Sequence, residues 1–238
     1  TATAASIGAL SPASAVAAPD TGGLDLGGGN SSMLSADAQT LAPGLELTDF
    51  RRLQPAGWVT GHVMRADLTT PTLSLDVLDA GTVSGGAMLS DQIAGTGAVA
   101  AINGDYFDMN YSTAPVGTNV SPTEGLRTAA PGMRQAFTIS DGLAAVQALT
   151  SGATVAVDGT VHRLAGVNSP DIGVDGIGWY TPAWGSHPLS RPLGGPAEIA
   201  GSIARVTVQD GVVTEVTTDA ASVTGTTAIA DGSGVLIG

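Results

Sequence analysis

The polar segment 103–108, Asn-Gly-Asp-Tyr-Phe-Asp, holds the residues of this sequence best suited to chemistry. Asp105 and Asp108 supply two carboxylates that could activate water or stabilise positive charge, and Asn103 supplies an amide that could donate a hydrogen bond. Gly104 permits unusual backbone angles, so a sharp turn could present these groups to a substrate. The same residue types are also ordinary turn formers that cap backbone amides. From residue types alone, a structural turn is therefore the favoured interpretation.

Three apolar or short periodic stretches would position this segment. Residues 98–102, Ala-Val-Ala-Ala-Ile, predict a strand covered on both faces that ends where the polar segment begins. Residues 87–94 predict a short helix, which Gly95 stops, and residues 72–78 predict another strand. Together they predict a local β-α-β unit whose helix covers one sheet face, with the polar segment held at a strand end.

The sequence around this segment resembles the phosphodiester glycosidase domain family. The likeness rests on residues 100–108, Ala-Ala-Ile-Asn-Gly-Asp-Tyr-Phe-Asp, and on the Ala-Pro-Val-Gly that follows at 114–117. Residues 40–44, 75–78 and 178–185 also resemble exported bacterial members, so the likeness covers roughly residues 40–238. The family includes the enzyme that removes N-acetylglucosamine from the mannose 6-phosphate tag. The resemblance implies an exported hydrolase that cleaves a sugar-1-phosphodiester in cell-envelope or extracellular glycans.

By this resemblance, Asn103 and Asp105 are the expected catalytic residues. The expected substrate-binding residues are Gly104, Phe107, Asp108, Pro115 and Gly117. Hydrolysis of such a bond passes through an oxocarbenium-like state that a carboxylate can stabilise, and donors must hold the phosphate oxygens. We expect these donors in the Asn103 side chain and in the Gly104 or Asp105 backbone. The alternative is a non-catalytic cell-surface or carbohydrate-binding module on the same scaffold.

The resemblance also implies a location for the remaining groups of the pocket. Family members continue into a second half with an Asp-Gly-Arg segment and a terminal Asn-Leu-Asp-Gly-Gly-Gly-Ser loop, and this sequence contains neither. We therefore expect an N-terminal part of the domain, inactive alone, whose phosphate-binding arginine lies in the other half. Arg127 and Arg134 are the possible substitutes, although each is interpreted as a solvated loop arginine.

The first forty residues differ in composition from the rest of the chain. Residues 1–18 are rich in Ala and Ser with small-x-small patterns, which indicates the remnant of an export signal; an Ala-rich disordered linker is the alternative. Residues 19–40 are rich in Gly, Ser and Asp and predict a flexible linker. The predicted domain is 41–238. These features predict a secreted or cell-surface protein, and no apolar run is long enough to span a membrane.

From residue 41 onward, short segments rich in Val, Ile, Thr and Leu alternate with Gly, Asp and Pro. This pattern predicts an α+β domain that is mostly β, with a mixed or antiparallel sheet, hairpins and one short covering helix. Asp-Gly at 141–142 and 210–211 predicts two hairpins. Strands are predicted at 45–53, 58–66, 72–78, 98–102, 135–140, 144–149, 154–157, 203–209 and 212–217.

The composition excludes several classes of partner. All eight basic residues are arginines against 21 acidic residues, and the net charge of -13 repels nucleic acid and anionic membranes. There is no cysteine, and the three histidines lack metal-ligand spacing, so no metal site is predicted, while cofactor and oligomeric state stay unknown. The large aromatic residues could stack on sugars but are interpreted as core anchors: Trp58, Trp179, Tyr180 and Trp184.

Overall fold

The computed structural model describes residues 32–130, 132–140, 143–189, 203–218 and 229–238. Within these ranges the protein is mostly β, as predicted, and its strands form several small sheets in which most pairs are antiparallel. The chain divides into two compact units. The small unit contains the described residues up to Leu75 together with Phe137–Gln147, and the large unit contains Asp76–Ala136 and Ala148–Gly238.

The small unit contains a three-stranded antiparallel meander. It consists of β1 (Ser32–Ala42), β2 (Leu45–Gln54) and β3 (Gly57–Ala66), in the order β1-β2-β3. The predicted strands at 45–53 and 58–66 are confirmed, but the linker predicted to extend to residue 40 is wrong beyond residue 31. Residues 32–42 form strand β1 because their backbone N–H and C=O groups form hydrogen bonds with β2. This backbone pairing does not require the side chains of β1 to be apolar or buried.

The predicted β-α-β unit is wrong. Helix α1 (Leu89–Ile93) lies within the predicted stretch, but it buries no residue and therefore covers no sheet face. Residues 72–78 and 98–102 have irregular backbone rather than strand structure, and Val99 and Ile102 are 60% and 73% exposed. An apolar sequence becomes a strand only when a neighbour pairs with its backbone, and no described strand pairs with these segments. No helix in the described ranges is long and apolar enough to cross a membrane.

The large unit contains a five-stranded mixed sheet. Its strands lie in the order β10 (Gly166–Val167), β11 (Gly178–Tyr180), β14 (Ser233–Ile237), β12 (Arg205–Gln209) and β13 (Val212–Thr217). The β10–β11 pair is parallel and the other pairs are antiparallel. The predicted hairpin at Asp210 and Gly211 is confirmed, because both residues have the positive φ of a two-residue turn, 49° and 77°.

Three further strand pairs complete the described fold. They are β4 (Asn119–Ser121) with β5 (Gly125–Thr128), β6 (Gly132–Ser140) with β7 (Leu143–Ser151), and β8 (Ala153–Val157) with β9 (Thr160–Leu164). The predicted strands within β6, β7 and β8 are confirmed, whereas the predicted turn at 141–142 lies outside the described residues. The β8–β9 hairpin was missed, although Asp158 and Gly159 turn it with φ of 48° and 79°, the same Asp-Gly signal.

The core of the large unit forms around two aromatic side chains. Tyr180 and Trp184 are fully buried and pack edge to face, with ring centroids 5.2 Å apart. The Tyr180 hydroxyl donates to the Ser169 carbonyl oxygen at 2.9 Å, and burial raises the pKa of the phenol well above its ordinary value. Both residues are core anchors, as predicted, but the same prediction is wrong for Trp58, which is 56% exposed beneath the Arg51 guanidinium. Large aromatic residues thus occur both as buried core residues and as exposed surface residues.

Asn168 is the most connected buried polar residue near this core. It is fully buried and has a left-handed backbone, with φ of 45°. Its amide nitrogen donates to the Arg127 carbonyl oxygen at 2.8 Å and to the Thr181 hydroxyl at 3.0 Å, and its amide oxygen accepts from the Thr181 backbone at 2.8 Å. Its own backbone N–H donates to the Trp179 carbonyl oxygen. One side chain therefore joins the end of β5 to the segment that follows β11.

Trp184→Ala should destabilise the protein by about 3–5 kcal/mol, because it removes a buried aromatic ring and its edge-to-face partner contact. Trp58→Ala is the matched control and should cost less than about 1 kcal/mol, since its ring is exposed and contacts one guanidinium. Urea unfolding followed by far-ultraviolet circular dichroism measures both. Equal losses in the two variants would contradict the assignment of Trp184 to the core.

Candidate functional site

Residues 105–117 of the large unit form one closed loop, here called the site loop. The Val116 N–H donates to the Tyr106 carbonyl oxygen at 3.0 Å, and the Asp108 N–H donates to the Ala114 carbonyl oxygen at 2.9 Å. Between these bonds, Phe107 and the proline at 115 form an antiparallel bridge. The two sequence stretches that carry the family resemblance are therefore adjacent in space.

Asp105 closes the site loop. Its Oδ2 accepts from the Gly117 N–H at 2.6 Å, and its Oδ1 accepts from the Tyr106 N–H at 2.7 Å. A Cβ at Gly117 would lie 2.3 Å from Asp105 Oδ2, so any larger residue here would displace that carboxylate. Two backbone donors consequently fix the orientation of a carboxylate that is otherwise exposed to solvent.

Asp108 organises the turn at the far end of the site loop. Its Oδ2 accepts from both the Ser112 N–H at 3.1 Å and the Ser112 hydroxyl at 2.9 Å. Thr113 follows with a φ of 57°, a strained value for a β-branched residue, and its N–H donates to the Asp108 carbonyl oxygen at 3.0 Å. Strained residues persist only where surrounding bonds hold them, and they are frequent at functional sites.

The base of the site loop is anchored in the large unit. Ser112 and Ala114 are buried, with 1% and 0% exposure. The Gly117 carbonyl oxygen accepts from the Thr128 hydroxyl of β5 at 2.7 Å, and the Thr118 hydroxyl accepts from the Ala130 N–H at 3.2 Å. The site loop thus combines an exposed tip with a fixed base, which suits a binding or catalytic loop.

Asn103 and Gly104 precede the site loop and are exposed. Among the described residues, no hydrogen bond engages the Asn103 side chain or the backbone N–H groups of Gly104 and Asp105. A Cβ added at Gly104 would have no atom within 4 Å. The predicted hydrogen-bond donors are therefore consecutive in the chain and open to solvent.

Exposed apolar side chains follow these polar groups in the site loop. Tyr106 is 86% exposed, Phe107 51%, Met109 73% and Tyr111 53%. Flat aromatic surfaces of this kind can stack on the apolar faces of sugar rings. Because the sequence is poor in aromatic residues overall, the concentration of three of them in one exposed loop distinguishes this surface.

The interpretation of Arg127 as a solvated loop arginine is wrong. Arg127 is buried, at 9% exposure. Its Nε donates to Asp79 Oδ2 at 2.8 Å, and its Nη2 donates to the same oxygen. A second contact joins its Nη1 to Glu124 at 3.0 Å. Because these carboxylates already engage the guanidinium, Arg127 is a structural ion-pair partner and a poor substitute for a phosphate-binding arginine. The side chain of Arg134 lies outside the described residues.

Comparison with known proteins shows the fold but no function. No family model and no curated protein matches the chain. Among solved structures, the chain is similar to the crystal structure of a hypothetical protein from Synechocystis, at 18% sequence identity and a TM-score of 0.66. The similarity covers 85% of this chain and 37% of that chain. At this identity the likeness shows a shared fold alone, and the phosphodiester glycosidase resemblance stays a prediction.

The structure brings most of the predicted site residues together. Five of them belong to the site loop: Asp105, Phe107, Asp108, Pro115 and Gly117. Asn103 and Gly104 adjoin that loop in the chain but form no described hydrogen bond with it. Sequence reasoning missed the Asp79–Arg127 pair and the role of Asn168. Neither has a local sequence signal, because the first pair is 48 residues apart and Asn168 bonds to residues 41 and 13 positions away.

Loss of the Asp105–Gly117 bond should loosen the site loop. Asp105→Ala removes the acceptor, and Gly117→Ala displaces it, so in both variants the Val116 amide should exchange with solvent about tenfold faster, equivalent to about 1.4 kcal/mol. Asp91→Ala, an exposed change in α1, is the control and should exchange at the wild-type rate. Amide hydrogen exchange measures this. Unchanged Val116 exchange in both loop variants would show that the bond does not hold the loop.

Removal of Arg127 should destabilise the large unit. Arg127→Met leaves the Asp79 carboxylate without its partner and should cost about 3 kcal/mol, whereas Glu124→Gln, at the exposed end of the network, should cost less than about 1 kcal/mol. The double variant Arg127→Met with Asp79→Leu should recover part of the loss, since no unpaired charge stays buried. Urea unfolding measures the free energy of unfolding of the two single variants and of the double variant. If the double variant lost as much stability as Arg127→Met and Asp79→Leu together, the result would contradict the pairing.

Proposed function

We propose that this protein is an exported hydrolase of the phosphodiester glycosidase type. Its expected substrate is a sugar-1-phosphodiester in a cell-envelope or extracellular glycan. One observation carries the proposal: the Asp105 carboxylate joins the two signature stretches into a single loop, beside which the Asn103 amide is open to solvent. A carboxylate, free donors and exposed aromatic rings are thus grouped on one anchored surface.

Asp105 is suited to a catalytic role because its position is fixed in advance. An ionised carboxylate offers about four lone-pair positions, and the Tyr106 and Gly117 N–H groups occupy two of those of Asp105. The remaining positions are available to orient an attacking water or to face the positive charge that develops at the anomeric carbon. The two backbone donors therefore restrict the carboxylate and leave about half of its acceptor capacity available.

The phosphate would be held by a side-chain amide and backbone N–H groups rather than by Arg127, whose guanidinium already pairs with Asp79 and Glu124. The Asn103 side chain and the N–H groups of Gly104 and Asp105 form a consecutive set without described partners. Hydrogen bonds from such donors to a charged phosphate oxygen are stronger than those between neutral groups. Cleavage of the bond from the anomeric carbon to oxygen releases a phosphate monoester, which is a good leaving group, so the site needs little acid assistance.

A carbohydrate-binding module without catalysis is the second candidate. The specific observation that favours it is that both carboxylates of the site loop already form loop-closing hydrogen bonds, Asp105 with two amides and Asp108 with Ser112. Carboxylates used in this way can be purely structural. The exposed rings of Tyr106 and Phe107 would then supply sugar stacking on their own.

The protein should be assayed on N-acetylglucosamine-1-phospho-mannose. We expect Asp105→Asn to lower kcat by about 10²-fold or more, because it removes the charge that assists water or the oxocarbenium state. Asn103→Ala should lower it by about 10²-fold through loss of a donor. Salt of about 0.15 M screens the repulsion between the acidic protein and the phosphodiester.

Asp91→Asn serves as the matched control, since it removes an exposed carboxylate of α1 and should leave turnover unchanged. Turnover that is equal in wild type, Asp105→Asn and Asn103→Ala would remove both residues from the mechanism. Calorimetric binding of the sugar without turnover, lost in Tyr106→Ala, would establish the binding module instead of the enzyme.

A further inference from the structure

Asn103 is the one asparagine of this sequence that is followed by a glycine, and the structure leaves that pair unprotected. Both residues are exposed and lie outside helices and strands. The described hydrogen bonds include neither the Asn103 amide nor the Gly104 N–H. The Asn103 amide and the Gly104 N–H can therefore react without first breaking a hydrogen bond.

The surroundings of Gly104 also leave room for reaction. Glycine has no Cβ to obstruct the approach of its own nitrogen to the preceding side chain, and apart from its two chain neighbours no residue has an atom within 4 Å of where a Cβ would lie. Asn168 provides the contrast within the same chain. It is fully buried, both ends of its amide form hydrogen bonds, and the next residue is a serine.

We propose that Asn103 is a site of spontaneous modification, through a cyclic imide formed with Gly104. Hydroxide removes the Gly104 amide proton, and the Gly104 nitrogen attacks Cγ of Asn103. A C–N bond forms, the Cγ–Nδ2 bond breaks, and the amide nitrogen leaves as ammonia after taking a proton from water. Water then opens the imide at either carbonyl, giving aspartate or isoaspartate at position 103.

The modification changes the charge and the donors beside the site loop. It removes the Asn103 N–H donor and adds a carboxylate two residues before Asp105, where like charges repel one another and would also repel a phosphate. The isoaspartate product further lengthens the main chain at position 103, two residues before Asp105, whose bond to Gly117 closes the loop. The modification itself does not depend on the proposed function, but any loss of hydrolytic activity would.

Peptide mapping by mass spectrometry tests the proposal on the 238-residue chain, incubated folded and in urea at several pH values. In the folded chain, the Asn103 amide should be lost at a rate comparable to that in urea and in proportion to hydroxide concentration. Asn168 should keep its amide when folded and lose it only in urea. Because Asp-Gly pairs also form isoaspartate, the product must be assigned to its peptide.

Gly104→Ala should slow the loss markedly, and the open space at this position favours normal folding of the variant. Retention of the Asn103 amide in the folded chain, while urea permits its loss, would overturn the proposal because the fold would then protect the site. An unchanged rate in Gly104→Ala would also overturn it. Hydrolytic activity that persists after Asn103 has converted would contradict the proposed catalytic role and leave the modification standing.

Discussion

The buried amide of Asn168 is the interaction on which the large unit depends. Its hydrogen bonds link the Arg127 backbone at the end of β5 to Thr181, which follows β11 and precedes the Trp184 ring of the core. A buried amide without partners would cost about 1–3 kcal/mol, so its full satisfaction fixes these segments relative to one another. The left-handed backbone of Asn168 is maintained by the same bonds.

The site loop depends on this framework through β5. Thr128 of β5 donates to the Gly117 carbonyl oxygen, and the adjacent Arg127 is held by Asp79. Gly117 in turn donates to Asp105, so a chain of hydrogen bonds leads from the buried framework to the exposed carboxylate. The carboxylate is thereby oriented by the fold, although it lies in solvent. This arrangement is what a preorganised binding or catalytic group requires.

Local sequence rules succeeded where the governing forces are local. The Asp210 hairpin follows from the backbone preferences of Asp-Gly, and the same rule would have found the hairpin at Asp158. The prediction of a buried strand at 98–102 was wrong because an apolar composition does not by itself supply a neighbouring strand for hydrogen bonding. The strand at Ser32–Ala42 was missed for the opposite reason, since pairing with β2 compensates for a polar composition.

The sequence by itself determined the mostly β character of the protein, its acidic surface and the pairing of Asn103 with Gly104, because composition and neighbouring residues decide these properties. It also indicated that residues 103–108 and 114–117 belong together. Only the tertiary structure decided that the Asp105 carboxylate links these two stretches through its hydrogen bond to Gly117. It also decided that Arg127 pairs with Asp79 and that the Asn168 amide links β5 to the segment after β11. These depend on contacts between residues 12 to 48 positions apart, which local preferences do not encode.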